Sequence, residues 1–400
     1  MSAKVLRAKW PQTAPLQTTG PEAANSMLGA ISLPRRSFTD GAVSLPRRSL
    51  TEAEAGEKFL KVFDSPVKTD SSLSHLIDFD AETIEQLVEH VHEGSQRARA
   101  GATAALRNLA ASNETNQEAI PAAGAIEPLV AQLRSGSAQL KEAVAGALSN
   151  LASNHADNQV AIAKAGAIEP LVEMLKSKSA GAQKAAAGAL SNLAANEDNQ
   201  VAICAAAGAL ASLVHLLRRG NAGVQAAAAG ALNNLAANDA NQVAITDADA
   251  VDPLVTLLGG GNAGYLAFLQ AAAASALRNL AYKNIHNQIA IAQAGAIEPL
   301  VGLLTGGSPQ VQLAAAAALR NLSENNNDNQ EFIARASDGE GVKALLAMAH
   351  GGSKDAQEEA AGALQNLATN NAIPGKLLDG LPGTDPLYWH DVLKEHSLVV

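Results

Sequence analysis

The chain has 400 residues, a formal net charge of −10, 3% aromatic residues and a single cysteine, Cys204. One cysteine excludes a disulfide framework and a cysteine-based zinc site. No run of about 18 apolar residues is present, so the sequence predicts no membrane-spanning helix. The charge is uneven: residues 1–70 carry +3 and residues 71–400 carry −13. Phosphate contacts need clustered Lys and Arg, and we therefore expect no nucleic-acid partner for the acidic part.

Residues 1–70 show no helical periodicity and are rich in Pro, Ser, Thr and Gly. This composition predicts a disordered N-terminal segment. It contains a duplicated stretch, because residues 32–37 and 44–49 both run Ser-Leu-Pro-Arg-Arg-Ser. The duplication is either low-complexity drift or a pair of sites for arginine-directed kinases, where a phosphate would reverse the local charge. The candidate phosphate acceptors are Ser37, Thr39, Ser49 and Thr51.

The first 21 residues bear on where the protein resides. They contain Lys4, Arg7 and Lys9 and no acidic residue, which a transit peptide would share. No apolar segment of the secretory type follows Met1, and the single cysteine fits a reducing compartment. We expect a cytoplasmic protein, with the nucleus possible and organelle targeting by residues 1–21 left open.

Helical periodicity starts near residue 71. Ile84, Leu87, Val88 and Val91 follow the i, i+3, i+4, i+7 spacing of one helix face. A second helix is predicted over residues 98–111, and it contains the sequence Ala-Leu-Arg-Asn-Leu-Ala at 105–110.

That six-residue motif returns six more times with small changes. Its first leucines are spaced by 42, 42, 42, 45, 42 and 45 residues, at Leu106, Leu148, Leu190, Leu232, Leu277, Leu319 and Leu364. A fixed period of roughly 20–50 residues is the signature of a repeat array, in which each unit packs only on its neighbours.

Each internal unit follows one order of signals. After the motif come Asn-Gln, a short helical stretch, a helix-ending glycine such as Gly124, and then Ile-Glu-Pro-Leu-Val. Proline is tolerated in a first helical turn, and an acidic residue is favourable at the positive end of a helix. Each unit is therefore predicted to contain a short, a medium and a long helix, and the long one ends in the motif.

These residues resemble the armadillo-repeat family over about residues 80–370. The resemblance implies an all-α fold: a right-handed α-solenoid of about seven armadillo repeats, preceded by the disordered segment. The predicted units are 71–112, 113–154, 155–196, 197–238, 239–283, 284–325 and 326–370. Residues 371–400 are predicted to be a C-terminal cap or tail.

The motif asparagine is the candidate functional residue. On a helical wheel at about 100° per residue, the motif leucines define the buried side and the asparagine lies at the edge of the opposite side. Seven stacked long helices would line one concave surface with Asn108, Asn150, Asn192, Asn234, Asn279, Asn321 and Asn366. A carboxamide can bond the backbone of an extended peptide, as the resemblance implies, or it can only hold neighbouring units together.

Two further positions on the same face are informative. Nuclear-import receptors of this family carry tryptophan four residues before the asparagine, whereas this chain has only Ala, Gly or Ser there, including Gly146. Arg107, Arg278 and Arg320 lie one residue before the asparagine. They could engage carboxylates of a partner, or they could be ordinary solvated surface charges.

The fifth unit carries an insertion, Tyr-Leu-Ala-Phe-Leu at 265–269, which is the densest aromatic patch of the array. It is either a local core filler or an exposed contact for a partner. Catalytic chemistry is not indicated: the histidines are scattered, and no acid–base pair or phosphate loop is recognisable. We expect no catalytic residue, no cofactor and no metal.

The sequence thus favours a monomeric, non-catalytic scaffold that binds extended segments of other proteins. A substrate-recruiting component of a ubiquitin ligase is the second hypothesis, because the repeats also resemble plant armadillo proteins that carry a U-box, although residues 1–70 show no such box. A transport adaptor is the third, and the missing tryptophans count against it.

Overall fold

The computed structural model describes residues 81–259 and 264–369. The N-terminal segment with Ser37, Thr39, Ser49 and Thr51, and the C-terminal segment 371–400, lie outside the described residues. The predictions for these segments therefore stay predictions.

The described residues form twenty α-helices and one 3-10 turn, without any strand. Unit one contributes a second and a third helix, and units two to seven each contribute a first, a second and a third helix. The first helices are α3 (Glu114–Ala122), α6 (Ala156–Lys164), α9 (Glu197–Ala205), α12 (Asp239–Asp247), α15 (Ile285–Gln293) and α18 (Asn327–Arg335). The second helices are α1 (Ala81–Glu93), α4 (Ile126–Ser135), α7 (Ile168–Met174), α10 (Ala209–Arg219), α13 (Val251–Leu258), α16 (Ile297–Gly306) and α19 (Glu340–Gly351). The third helices are α2 (Gln96–Leu109), α5 (Ala138–Ala152), α8 (Ala180–Leu193), α11 (Ala222–Leu235), α14 (Gly264–Ala281), α17 (Pro309–Ser323) and α20 (Lys354–Thr369).

Local sequence explains where these helices begin and end. Third helices begin after a polar cap, for example Ser137, whose hydroxyl accepts a hydrogen bond from the Leu140 amide at 3.3 Å. The predicted glycine breaks are confirmed, since Gly124 and its equivalents at the corner between first and second helices have φ near +80°. Glycine adopts this left-handed conformation without the strain that a Cβ would cause.

The core runs as a continuous layer through the stack of helices. Each internal third helix packs on the third helices of both neighbouring units and on the second helix of its own unit. The motif leucines Leu148, Leu190 and Leu232 have no solvent exposure, and the predicted face of α1 is buried through Ile84, Leu87, Val88 and Val91. Alanines between the leucines allow the helices to approach closely. Because contacts link neighbouring units, stability is expected to be a sum of local terms.

One corner of the array differs from the others. The corner between the first and second helices of unit seven is the 3-10 turn Ala336–Gly339, in which Ser337 and Asp338 have positive φ. The Ser337 hydroxyl donates to Glu298 of the preceding unit at 2.8 Å, which fixes that corner.

Among the described helices, none alone is long and apolar enough to span a membrane, although the bent pairs α9–α10 and α15–α16 meet the length and composition criteria together.

Candidate functional site

The motif asparagines lie in the last turn of each third helix, on the side away from the buried leucines. Asn108 is exposed, and the other six are half-buried. This confirms the semi-exposed position predicted by the helical wheel. We call the surface formed by this side of the seven third helices the asparagine face.

Six of these amides connect successive units. In each case, Nδ2 donates to the backbone carbonyl of the residue that precedes the motif asparagine in the previous unit. The pairs are Asn150 to Arg107 at 2.9 Å, Asn192 to Ser149 at 2.8 Å, Asn234 to Ser191 at 2.8 Å, Asn279 to Asn233 at 2.9 Å, Asn321 to Arg278 at 2.9 Å and Asn366 to Arg320 at 2.9 Å. The stacking role is therefore confirmed for one N–H of each amide.

The amides retain hydrogen-bonding capacity beyond that contact, because a carboxamide has two N–H groups and an acceptor oxygen. Among the described residues, Oδ1 of Asn150, Asn192 and Asn321 accepts no hydrogen bond. Oδ1 of Asn234 accepts one from the Asn233 side chain at 2.9 Å. The face therefore presents half-exposed Oδ1 atoms that can still accept a hydrogen bond. The backbone carbonyls beside them already accept one from the Nδ2 groups.

A second set of asparagines, which we call the turn asparagines, was missed as a structural element by sequence reasoning. They belong to the Asn-Gln pairs in the first helices, and Asn199 is typical. Its Nδ2 donates to the carbonyl of Gln159 in the preceding unit at 3.0 Å and to the carbonyl of Leu193 at 3.1 Å. The equivalent residues with both contacts are Asn158, Asn241, Asn287 and Asn329. The signal was available, since each turn asparagine follows a motif asparagine by seven or eight residues.

The two sets differ in exposure, and this separates their roles. The five turn asparagines from Asn158 to Asn329 have at most 5% exposure, so both of their contacts are internal. A buried amide with bonded partners stabilises the fold and cannot reach a ligand. The motif asparagines, in contrast, reach the surface of the described array.

Small residues form the floor of the asparagine face four positions before each motif asparagine. A Cβ built on Gly188 would lie 3.5 Å from Ser149 Oγ, which is an ordinary contact. At Gly146 the same atom would lie 2.8 Å from Arg107 Nε, because that arginine crosses the floor from the preceding unit. The floor therefore has room in the middle units and is occupied by arginines towards both ends, by Arg107 over Gly146 and by Arg320 over Gly362.

Replacing Gly188 by alanine is expected to raise the free energy of unfolding by about 0.5–1 kcal/mol. Glycine within a helix costs about that much relative to alanine, and the added methyl group meets no close neighbour. Thermal and urea denaturation of the Gly188→Ala variant would measure the change. A loss of stability would show that the floor is packed more tightly than the geometry indicates.

The three predicted arginines have different environments. Arg107 is exposed. Arg278 donates to Oδ1 of Asn279 through Nη2 at 3.0 Å, and burial lowers the pKa of its guanidinium from the usual value. Arg320 forms an ion pair with Glu359 at 3.0 Å. The description as solvated surface charges therefore suits Arg107, while Arg278 and Arg320 are already engaged within the chain.

The residues of the aromatic insertion differ in exposure, so the core-filler interpretation suits one of them and the exposed-contact interpretation suits another. Leu269 is 3% exposed and occupies the core position that Val224 holds in α11, so it is a core filler. Phe268 is 43% exposed, and it lies eleven residues before Asn279. At about 100° per residue this places Phe268 on the asparagine face. The side chains of Tyr265 and Leu266 lie outside the described residues.

Within the described part of the chain, no three His, Cys, Asp or Glu side chains come together in a way that could hold a metal ion. Cys204 is half-buried in α9, and burial raises the pKa of its thiol. A raised pKa reduces the thiolate fraction and hence the reactivity of the sulfur.

Stacked helical triplets with one shared amide-bearing face define a helical repeat solenoid. The family model of the armadillo/beta-catenin-like repeat matches residues 112–153, 155–195, 196–237 and 284–324. The chain belongs to the armadillo-repeat family, as its motifs indicated. No curated protein matches it.

Solved structures of engineered proteins resemble the chain along most of the array. One engineered protein is 33% identical with a TM-score of 0.67, and the alignment covers 81% of this chain and 80% of that one. A designed armadillo repeat protein is 31% identical with a TM-score of 0.56, covering 60% of this chain and 99% of that one. Another, solved in complex with the peptide (KR)4, is 29% identical with a TM-score of 0.55, covering 60% and 99%.

Proposed function

We propose that this protein is a non-catalytic scaffold that binds an extended segment of another protein along the asparagine face. The observation that carries the proposal is the half-used state of the motif amides. Six of the seven donate one N–H to the preceding unit, and Asn150, Asn192 and Asn321 keep an acceptor oxygen to which nothing in the described residues donates. An extended segment presents backbone N–H groups that can bond to such acceptors whatever its side chains are.

The stacking contact also supports binding, because it holds each amide in place before a ligand arrives. Preorganised groups lose less conformational entropy on binding than free ones. The designed relative that was solved with (KR)4 shows that a protein of similar architecture can bind a peptide.

The spacing of the units sets the length of the bound segment. Packed helices lie about 8–10 Å apart, and an extended chain advances about 3.3–3.6 Å per residue. Each unit therefore corresponds to about two to three residues of the partner, and seven units correspond to about 16 residues.

Blocking the floor tests the proposal without removing any asparagine. Replacing Gly188 and Gly230 together by leucine puts two side chains onto the face, and their Cβ atoms would meet only Ser149 and Ser191 hydroxyls at 3.5 and 3.4 Å. Peptides selected on the wild-type protein from a random library about 16 residues long should bind this variant at least tenfold more weakly. Fluorescence anisotropy would measure the dissociation constants.

The matched control adds the same side chain elsewhere. Gly302 is exposed on the second helix α16 and has no neighbouring atom within 4 Å of a built Cβ. Gly302→Leu should leave peptide affinity unchanged, and circular dichroism should show native helicity for both variants. Selected peptides that bind the Gly188/Gly230 variant as tightly as the wild type would contradict binding at this face.

A further inference from the structure

We infer that the asparagine face selects a partner segment with an acidic end, an apolar centre and a basic end, an inference that rests on the function proposed above. The acidic end lies over units one to three, the apolar centre lies against Phe268, and the basic end lies over unit seven. Three observations along the face carry this assignment.

The apolar centre follows from the surroundings of Phe268. The same position on the neighbouring third helices is occupied by Gly223 and Gln310, and α14 itself presents Ala271 and Ala272 beside the ring. Leu313 on α17 is half-buried on this side. A ring exposed above small side chains leaves space for an apolar partner side chain to cover it. Aromatic anchors of this kind dominate the energetics of interfaces.

The first three units present more cations than carboxylates on the face. Arg107 and Lys184 are exposed there, and Arg97 is exposed as well but already has an interaction within the chain. The one carboxylate among these positions, Glu142, accepts a hydrogen bond from the Ser179 hydroxyl at 2.9 Å. A shallow cavity of about 380 Å³ opens beside Arg97 between α2 and α5. Carboxylates of a partner complement this end.

Unit seven has the opposite character. Asp355, Glu358 and Glu359 occupy face positions on α20, and Arg320 neutralises Glu359 alone. Asp355 and Glu358 are exposed and have no ion-pair partner among the described residues. Cations of a partner complement this end, while units four and five present no exposed charge at the equivalent positions.

The arrangement explains why one charged block cannot satisfy the whole face. A uniformly basic segment meets Arg107 and Lys184, and a uniformly acidic one meets Asp355 and Glu358. Like charges brought together at an interface oppose binding and so discriminate between partners.

Synthetic peptides test the order of blocks directly. The probes are about 16 residues long and contain four Asp, a neutral centre with one Leu and four Lys, the two charged blocks being placed in either order. A composition-matched peptide alternates Asp and Lys around the same centre. One block order should bind at least tenfold more tightly than the alternating peptide at low salt, and high salt should reduce the difference. Equal binding of block and alternating peptides would overturn the inference.

Variants assign each block to its end of the face. Arg107→Glu combined with Lys184→Glu should weaken the block peptide about tenfold, and a peptide with Lys at both ends should regain that affinity. Phe268→Ala should also weaken the block peptide about tenfold. Phe332→Ala, which alters a 60% exposed phenylalanine on the first helix α18, should leave it unchanged.

The Gly188/Gly230 leucine variant separates the two levels of the argument. If that variant loses all peptide binding while the wild-type protein shows no preference for block order, the charge order is rejected and the proposed function stands. Undiminished block-peptide binding in that variant would reject both.

Discussion

Replacing Asn199 by alanine is expected to reduce stability by about 2 kcal/mol. The substitution removes two hydrogen bonds from a side chain that is 5% exposed, one to Gln159 in the preceding unit and one to Leu193 at the end of α8. A buried polar group that loses its partner costs about 1–3 kcal/mol. Because contacts are local, the loss should appear first as increased amide hydrogen exchange in α8 and α9.

Two matched substitutions give this prediction its contrast. Asn192, seven residues earlier, is half-buried and makes its stacking contact with Ser149, so Asn192→Ala should cost only about 0.5–1 kcal/mol while weakening peptide binding. Asn327→Ala changes an exposed asparagine at the start of α18 and should alter neither quantity. Equal destabilisation by Asn199→Ala and Asn327→Ala would show that the turn asparagines do not hold the units together.

Deleting residues 155–196 is expected to leave a folded, shorter array. The deletion joins Asn154 to Glu197, so that Asn150 is followed by Asn199 at a distance of seven residues. The same spacing separates Asn192 from Asn199 and Asn234 from Asn241 in the intact chain. Nearest-neighbour interfaces are thereby regenerated, and mean residue helicity should be unchanged while the unfolding midpoint falls modestly.

Deleting half a unit is the corresponding negative control. Removal of residues 155–175 takes away α6 and α7, including Asn158 and the buried Leu171 that face neighbouring units. α8 would then follow α5 without the helices that cover both. We therefore expect this variant to lose cooperative unfolding and to bind hydrophobic dyes. Circular dichroism and thermal denaturation of the two deletions measure the difference. A whole-unit deletion that unfolds as completely as the half-unit deletion would contradict the linear array.

The sequence alone determined the fold, the number of third helices and the exposure of the motif asparagines. It could do so because a helical wheel depends only on residue order within one helix, and the repeated glycine and cap residues act within a few residues of themselves. The positions of Leu190, Gly188 and Asn192 relative to the core were therefore predictable. The angular position of Phe268 was also calculable, although its exposure was not.

Tertiary structure alone decided which polar groups are already used. Asn192 donates to a carbonyl 43 residues away, Asn199 to one 40 residues away, and Arg320 pairs with a carboxylate 39 residues away. These partners depend on the offset between helices of adjacent units, which no single-helix periodicity encodes. For the same reason, only the packed array shows that Leu269 is buried, that Phe268 remains exposed, and that Arg320 is paired with Glu359 while Arg107 is exposed.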